Sequence, residues 1–171
     1  ARLRSDPAAS ISKQADSANT IRRTGIVYPD GRVLDYGYGT AGGVNDRLSR
    51  VESLTIQGEA QAAVTYTYGG LARYLKIQYP EPGVQLSYLK TATQPVGDGG
   101  DYYTGYDRFS RVVDMRWVTT SGGAERDRFQ WGFDRASNRT WRRNVVAATG
   151  HDDRYHYDGL YQVTGRQQGS L

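Results

Sequence analysis

A short motif that recurs four times along the chain limits its fold more than any other feature. Each copy has an aromatic residue, then Asp or Gly, then any residue, then an apolar residue, and a polar residue two positions further on. The copies lie at residues 66–73, 104–111, 131–138 and 155–162. Such self-similarity is typical of repeat proteins, in which each unit buries its apolar face only against its neighbours.

The chemistry of the motif predicts a β-hairpin in each copy. Asp accepts hydrogen bonds from backbone N–H groups two residues on, and Gly adopts positive φ, so either residue ends a strand in a turn. We therefore assign turn-forming and not catalytic roles to these acids, and expect the next apolar residue to tuck beneath the turn. The residues that define the repeat are Tyr68, Gly69, Tyr106, Asp107, Phe133, Asp134, Tyr157 and Asp158.

Composition supports an all-β protein. The 171 residues include 21 Gly, 14 Tyr and 3 Trp but no Cys, which favours strands and turns over helices and excludes a disulfide scaffold. Apolar and polar residues alternate over residues 26–28, 32–38, 64–68 and 129–133, which predicts strands, whereas only residues 45–51 suit a helix. We expect the strand aromatics to be mostly buried on one sheet face: Tyr66, Tyr68, Phe129, Trp131, Phe133, Tyr155 and Tyr157.

The pattern divides the chain into an arm and a repeat region. Residues 1–20 are polar, small and without periodicity, which predicts a flexible arm that orders on a partner. Residues 21–171 form the repeat module, in which antiparallel hairpins stack as a β-solenoid or a sheet slice. Because open strand edges recruit other strands, Ile11 and Ile21 are candidate anchors through which the arm joins a neighbouring copy.

Several segments resemble the YD repeats of the bacterial Rhs family. They are Tyr157-Asp158-Gly159-Leu160, Tyr106-Asp107-Arg108-Phe109, Phe133-Asp134-Arg135 and the start Tyr28-Pro29-Asp30-Gly31-Arg32. The surrounding sequence, over roughly residues 24–171, is similar to that of planctomycete-type Rhs-like proteins. The resemblance implies a large extracellular β-sheet that spirals into a hollow shell, as in toxin complexes and teneurins. The expected location is extracellular or on the bacterial cell surface.

The sequence favours no catalytic, cofactor or metal site. There is no thiol and no Gly-x-Ser-x-Gly nucleophile motif. His151 and His156 are five residues apart, so on a strand they face opposite sides and do not chelate one metal. The 19 Arg are spread along the chain among 14 Asp, which argues against a nucleic-acid surface, and no apolar run could span a bilayer. We expect no enzyme activity.

The leading functional hypothesis is an extracellular structural or adhesive Rhs-like module. Its partners would be copies of itself or further Rhs repeats, joined through sheet edges and, in the extreme case, forming a homopolymeric filament. A second hypothesis is a carbohydrate-binding surface module, in which Trp117 and Trp141 stack on sugar rings. A third is a shell fragment of an Rhs-type toxin-delivery protein.

Overall fold

The computed structural model describes residues 10–13, 22–71, 73–89, 105–147 and 150–170, and within them almost all regular structure is β-strand. The chain forms two compact units, Ala1–Pro82 and Gly83–Leu171. The all-β antiparallel fold expected from the repeat is confirmed, in the form of sheet slices. The predicted boundary between an arm and a repeat module at residue 20 stays a prediction.

The first unit is an antiparallel meander, in which each strand pairs with the next one along the chain. Its elements are β1 (Ser10–Lys13), β2 (Arg23–Val27), β3 (Val33–Gly37), α1 (Val44–Arg47), β4 (Ser53–Ile56), β5 (Val64–Gly69) and β6 (Arg73–Tyr79). The helix is a single turn that begins one residue before the segment 45–51 that suits a helix in sequence and ends within it. Short loops suffice because antiparallel neighbours need no crossover connection.

The second unit repeats this plan with longer strands. Its elements are β7 (Val84–Ser87), β8 (Asp114–Thr119), β9 (Glu125–Phe133), β10 (Arg139–Asn144), β11 (Asp152–Tyr157) and β12 (Val163–Gly169). Each strand pairs antiparallel with the next. The turns that follow β9 and β11, and the one that precedes β8, therefore lie at the same end of this sheet.

Full burial is rare among the described apolar side chains of both units. Among the described residues, the fully buried apolar side chains are Leu75, Leu86 and Val118. The seven strand aromatics are mostly but not fully buried, as expected. Within each unit no second layer of described residues covers the sheet, so each ring packs against its neighbours in the sheet while part of it faces outward.

The aromatic ladder itself is present. The ring centroids of Tyr66 and Tyr68, two residues apart on β5, are 6.5 Å apart, and Tyr74 of β6 lies 5.1 Å from Tyr68. On β9 the rings of Phe129 and Trp131 stack at 6.0 Å. These contacts confirm that aromatics at alternate positions share one face of a strand.

Candidate functional site

The Asp-containing turns of the repeat share one geometry. In residues 107–111, 134–138 and 158–162, the N–H of the first residue donates to the carbonyl of the fifth at 3.0 Å. The N–H of the fourth donates back to the carbonyl of the first at 2.9–3.2 Å. The fourth residue has positive φ in each case, between 62° and 70° at Ser110, Ser137 and Tyr161. This is a three-residue hairpin loop with a type I turn and a bulge.

The carboxylate of each Asp holds its turn closed. Asp107 and Asp158 each accept hydrogen bonds from the N–H groups two and four residues on, all at 2.9 Å. Asp134 accepts the N–H of Asn138 at 2.8 Å. Asp107, Asp134 and Asp158 are thus turn residues, as their spacing predicts.

The polar residue at the end of the motif completes two of these turns. The Arg111 guanidinium donates to the second oxygen of Asp107 at 2.6 Å, and the Asn138 amide donates to that of Asp134 at 2.8 Å. Arg111 also reaches the next turn, where it donates to the Asp134 carbonyl and the Ser137 hydroxyl, each at 3.1 Å. Sequence reasoning recorded this polar position but missed its role, although the spacing of four residues after Asp is a usable signal.

These hydrogen bonds set the acidity of two carboxyl groups. Burial alone would raise the pKa of Asp107, but hydrogen bonds from the backbone and side chain of Arg111 outweigh it, and the net pKa lies below the ordinary value. The pKa of Asp134 is lowered chiefly by the side-chain hydrogen bond from Asn138. Both carboxyl groups are therefore ionised at neutral pH and act as hydrogen-bond acceptors within their turns.

The glycine copy of the repeat is built differently. Gly69 pairs with Arg73 and Tyr68 with Tyr74, with a bulge between Thr67 and Tyr68. Gly70 adopts φ of 64°, at the second position of the turn. Meanwhile residues 28–32, outside the four copies, have the Asp-turn geometry, with Asp30 in the middle and Gly31 at φ of 85°. The Asp-turn geometry is thus not confined to the second unit.

The apolar residue of the motif does not tuck beneath its turn, contrary to expectation. The side chains of Leu71, Phe109 and Leu160 are 63–77% exposed. In the Asp turns that hold Phe109 and Leu160, the interior of the three-residue loop is occupied by the backbone hydrogen bonds and the Asp carboxylate, so no space remains under the loop. Beside Phe109, a depression of about 380 Å³ is lined by three arginines, Arg108, Arg111 and Arg135.

The two tryptophans proposed as sugar platforms lie on opposite faces of the second sheet. Trp117 is directly opposite Asp127 of β9, and Trp141 is directly opposite Gly132 of β9. Positions 127 and 132 are five residues apart, so they face opposite sides of the sheet, and the two tryptophans do the same. Trp117 is half-buried and engaged with neighbouring residues. The structure therefore does not bring Trp117 and Trp141 together.

Trp141 lies flat against the sheet. A Cβ at position 132 would overlap the pyrrole part of the Trp141 indole, so this close approach requires Gly132. The open side of the ring faces a groove of about 490 Å³, which Gln130, Thr140, Arg143 and Arg154 also line. The only aromatic ring in this groove is that of Trp141.

The candidate arm residues are only partly covered by the structure. Ile11 lies in β1, where its backbone is opposite Ile26 of β2 in the same chain. Ile21 lies outside the described residues, as does the arm apart from residues 10–13. The role of the arm in assembly stays a prediction.

Within the described ranges, no three His, Asp or Glu side chains come together as a metal site, and His151 and His156 are both exposed. No helix in the described part of the chain is long and apolar enough to cross a membrane.

No family model and no curated protein matches the chain, but solved structures do. The Photorhabdus luminescens Tc holotoxin pore, in a form with a substitution in TccC3, matches 92% of this chain with a TM-score of 0.65 and 17% identity. The TcdB2–TccC3–Cdc42 complex matches 82% with a TM-score of 0.58 and 19% identity. TcdB2–TccC3 without its hypervariable C-terminal region matches 82% with a TM-score of 0.56 and 18% identity.

The chain has an Rhs-like fold. That fold is the one the YD-like residues imply, and the likeness at these identities concerns the fold alone. The chain spans only 6–7% of the length of the chains it matches. It therefore corresponds to a short slice of their β-sheet.

Proposed function

We propose that this chain is a wall segment of an Rhs-type shell that belongs to a toxin-delivery protein. The observation that carries the proposal is the match of 92% of the chain to 7% of a Tc holotoxin chain. The YD-like motifs favour the same conclusion, and on that basis we assign the chain to the YD-repeat family. This reading replaces the adhesive module as the leading hypothesis.

The described contacts suit such a wall role. Each Asp turn closes a hairpin through backbone hydrogen bonds, and Arg111 ties one turn to the next. Stacked hairpins of this kind extend a sheet without limit, because each strand edge accepts another strand. The proposed partners are therefore further Rhs repeats. As part of the same proposal, the chain has no catalytic role, and its location is extracellular or on the bacterial surface.

The decisive test is the structure of the longest protein that the coding sequence around this chain specifies. That protein, expressed whole and imaged by cryo-electron microscopy, is expected to form a closed β-shell with residues 24–171 in its wall. A protein with no further strands on either side of these residues would contradict the proposal.

A homopolymeric filament is the competing arrangement, and it predicts a different result for the chain alone. If arm exchange drives polymerisation, sedimentation of the 171-residue chain shows large particles that disappear when residues 1–20 are deleted. If the chain is a shell segment, deletion leaves the particle size unchanged. The pairing of β1 with β2 in the same chain favours the second outcome.

A further inference from the structure

We propose that the groove beside Trp141 is a binding site for an acidic saccharide, with the sugar ring on the indole and its carboxylate on Arg143 and Arg154. The inference is independent of the shell assignment. It rests on one partly exposed indole, two exposed arginines that make no ion pair among the described residues, and one oriented amide around a single groove.

The platform comes from the pairing of Trp141 with Gly132. Because residue 132 has no side chain, the indole rests on the backbone of β9 and its opposite face is turned toward the groove. A flat aromatic face is the surface on which the axial C–H groups of a pyranose pack. The groove volume of about 490 Å³ lies within the range for small-ligand sites and is large enough for one or two sugar rings.

Two arginines supply the positive charge of the groove, beside the Asp152 carboxylate, which accepts the N–H of Asn144 at 3.0 Å. Five other arginines of the second unit pair with carboxylates within it: Arg111, Arg116, Arg128, Arg142 and Arg166. Arg143 and Arg154 are exposed and make no ion pair with any residue in the described part of the chain. Two guanidinium groups beside one ring suit a carboxylate, which a planar guanidinium binds through two parallel hydrogen bonds.

Gln130 supplies a fixed polar group at the edge of the groove. Its amide nitrogen donates to the Asp114 carboxylate at 2.9 Å, and that carboxylate is itself held by Arg128 at 2.6 Å. The amide is thereby oriented, and its oxygen remains as an acceptor for a sugar hydroxyl. A uronic acid has the required features: an apolar ring face, hydroxyl groups and one carboxylate.

The same groove fits a nucleic acid less well. Single-stranded nucleic acids need a succession of aromatic platforms and a basic track along several phosphates. The groove offers one ring and two arginines. We therefore commit to the saccharide and treat the nucleic acid as an outcome of the test.

The test is calorimetric titration of the intact chain at physiological salt with an oligogalacturonate, the matched neutral oligosaccharide and oligo-dT. We expect binding of the oligogalacturonate that is at least tenfold tighter than that of the neutral sugar. Trp141→Ala, and separately the double variant R143A/R154A, should each weaken it at least tenfold. Arg135→Ala, an exposed arginine of the same unit outside the groove, should change it less than twofold.

Three results would overturn the proposal. They are no oligogalacturonate binding by the wild type at millimolar concentration, equal binding by R143A/R154A and the wild type, and tighter binding of oligo-dT through the same residues. Arg143 and Arg154 are exposed surface residues, so their replacement keeps the fold even where loss of the indole does not. A matched circular dichroism spectrum checks this for each variant.

Discussion

Arginine links strands in both units through aromatic rings, as Arg23 does with Tyr36 and Arg142 with Phe129, but among the described residues ion pairs between two strands occur in the second unit. In the second unit, cross-strand arginines pair with carboxylates: Arg128 with Asp114, Arg116 with Glu125, and both Arg142 and Arg166 with Asp153.

In the first unit, Arg23 of β2 lies over the Tyr36 ring of β3, and Arg50 lies over the Tyr68 ring. Tyr68 in turn contacts Tyr74 across β5 and β6.

The difference shows that a sheet without a second layer can be stabilised in two ways. Ion pairs depend on the protonation of carboxyl groups and are weakened by salt, whereas ring contacts depend on buried area and on the neutral phenol. The two units should therefore differ in what destabilises them. The following predictions test that comparison, from the largest expected effect to the smallest.

The largest loss of stability is expected around Asp153. This residue is 1% exposed, and its carboxylate forms ion pairs with Arg142 and Arg166 at 2.7–2.8 Å. The double variant R142A/R166A leaves a buried carboxylate without a counter-ion, which should reduce the free energy of unfolding by about 3–5 kcal/mol. Urea unfolding measures the loss.

Adding Asp153→Asn to that double variant removes the unpaired buried charge, so the triple variant should recover a large part of the lost free energy of unfolding. A triple variant as unstable as the double one would show that the charge is not the cause. Arg135→Ala serves as the control for loss of an arginine.

Tyr68 gives the matching test in the first unit. Tyr68→Ala removes the contacts with Tyr66, Tyr74 and Arg50 and should cost about 2–3 kcal/mol, less than a fully buried aromatic because the ring is half-buried.

Tyr68→Phe keeps the ring but loses the hydrogen bond that its hydroxyl donates to the Val51 carbonyl at 2.6 Å. It should cost about 1 kcal/mol. Equal losses for the two variants would mean that the hydroxyl, and not the ring, carries the effect.

The units should also respond differently to alkaline pH. Burial raises the pKa of Tyr38, Tyr66 and Tyr68 in the first unit, where Tyr68 also hydrogen-bonds with Tyr74. A tyrosine whose pKa is raised in the folded state contributes stability that is fully present below the unfolded-state pKa of about 10. That contribution is lost as the pH rises through the folded-state pKa. Stability should therefore fall above pH 10, and Tyr68→Phe should make the fall shallower.

Acid should weaken the Asp turns of the second unit. The lowered pKa values of Asp107 and Asp134 mean that their contribution is complete above about pH 4 and is lost as pH falls through the folded-state values. The double variant D107N/D134N should show a weaker dependence of the urea midpoint on pH below 4 than the wild type. An identical acid dependence would contradict the assignment.

The smallest effect concerns the fourth position of the turns. Tyr161 adopts φ of 62° and is 64% exposed, whereas the corresponding residue at 28–32 is Gly31. Tyr161→Gly should stabilise the protein by roughly 0.5–1 kcal/mol, because the strain of positive φ exceeds the added chain entropy. Gly31→Ala should destabilise it by a similar amount. Thermal unfolding of the two variants, compared with the wild type, measures both.

The hairpins were predictable because they depend on local chemistry. Asp107, Asp134 and Asp158 form turns through their own backbone neighbours, so a spacing rule is enough to find them. The burial of the strand aromatics was predictable because alternation places them on one face, although their remaining exposure depends on whether another layer covers the sheet. The exposure of Phe109 and Leu160 was not predictable, because it depends on how the backbone and the Asp carboxylate fill the inside of each three-residue loop.

The sequence by itself determined the all-β class and the positions of the turns, which follow from periodicity and from contacts within about five residues, and its motifs carry the resemblance to Rhs repeats. Only the tertiary structure decided which arginine meets which partner, that Asp153 is buried between two of them, and that Trp117 and Trp141 lie on opposite faces. Register is the physical reason. A shift of one residue between two strands exchanges their faces, and registers across loops of unequal length emerge only when the whole sheet has formed.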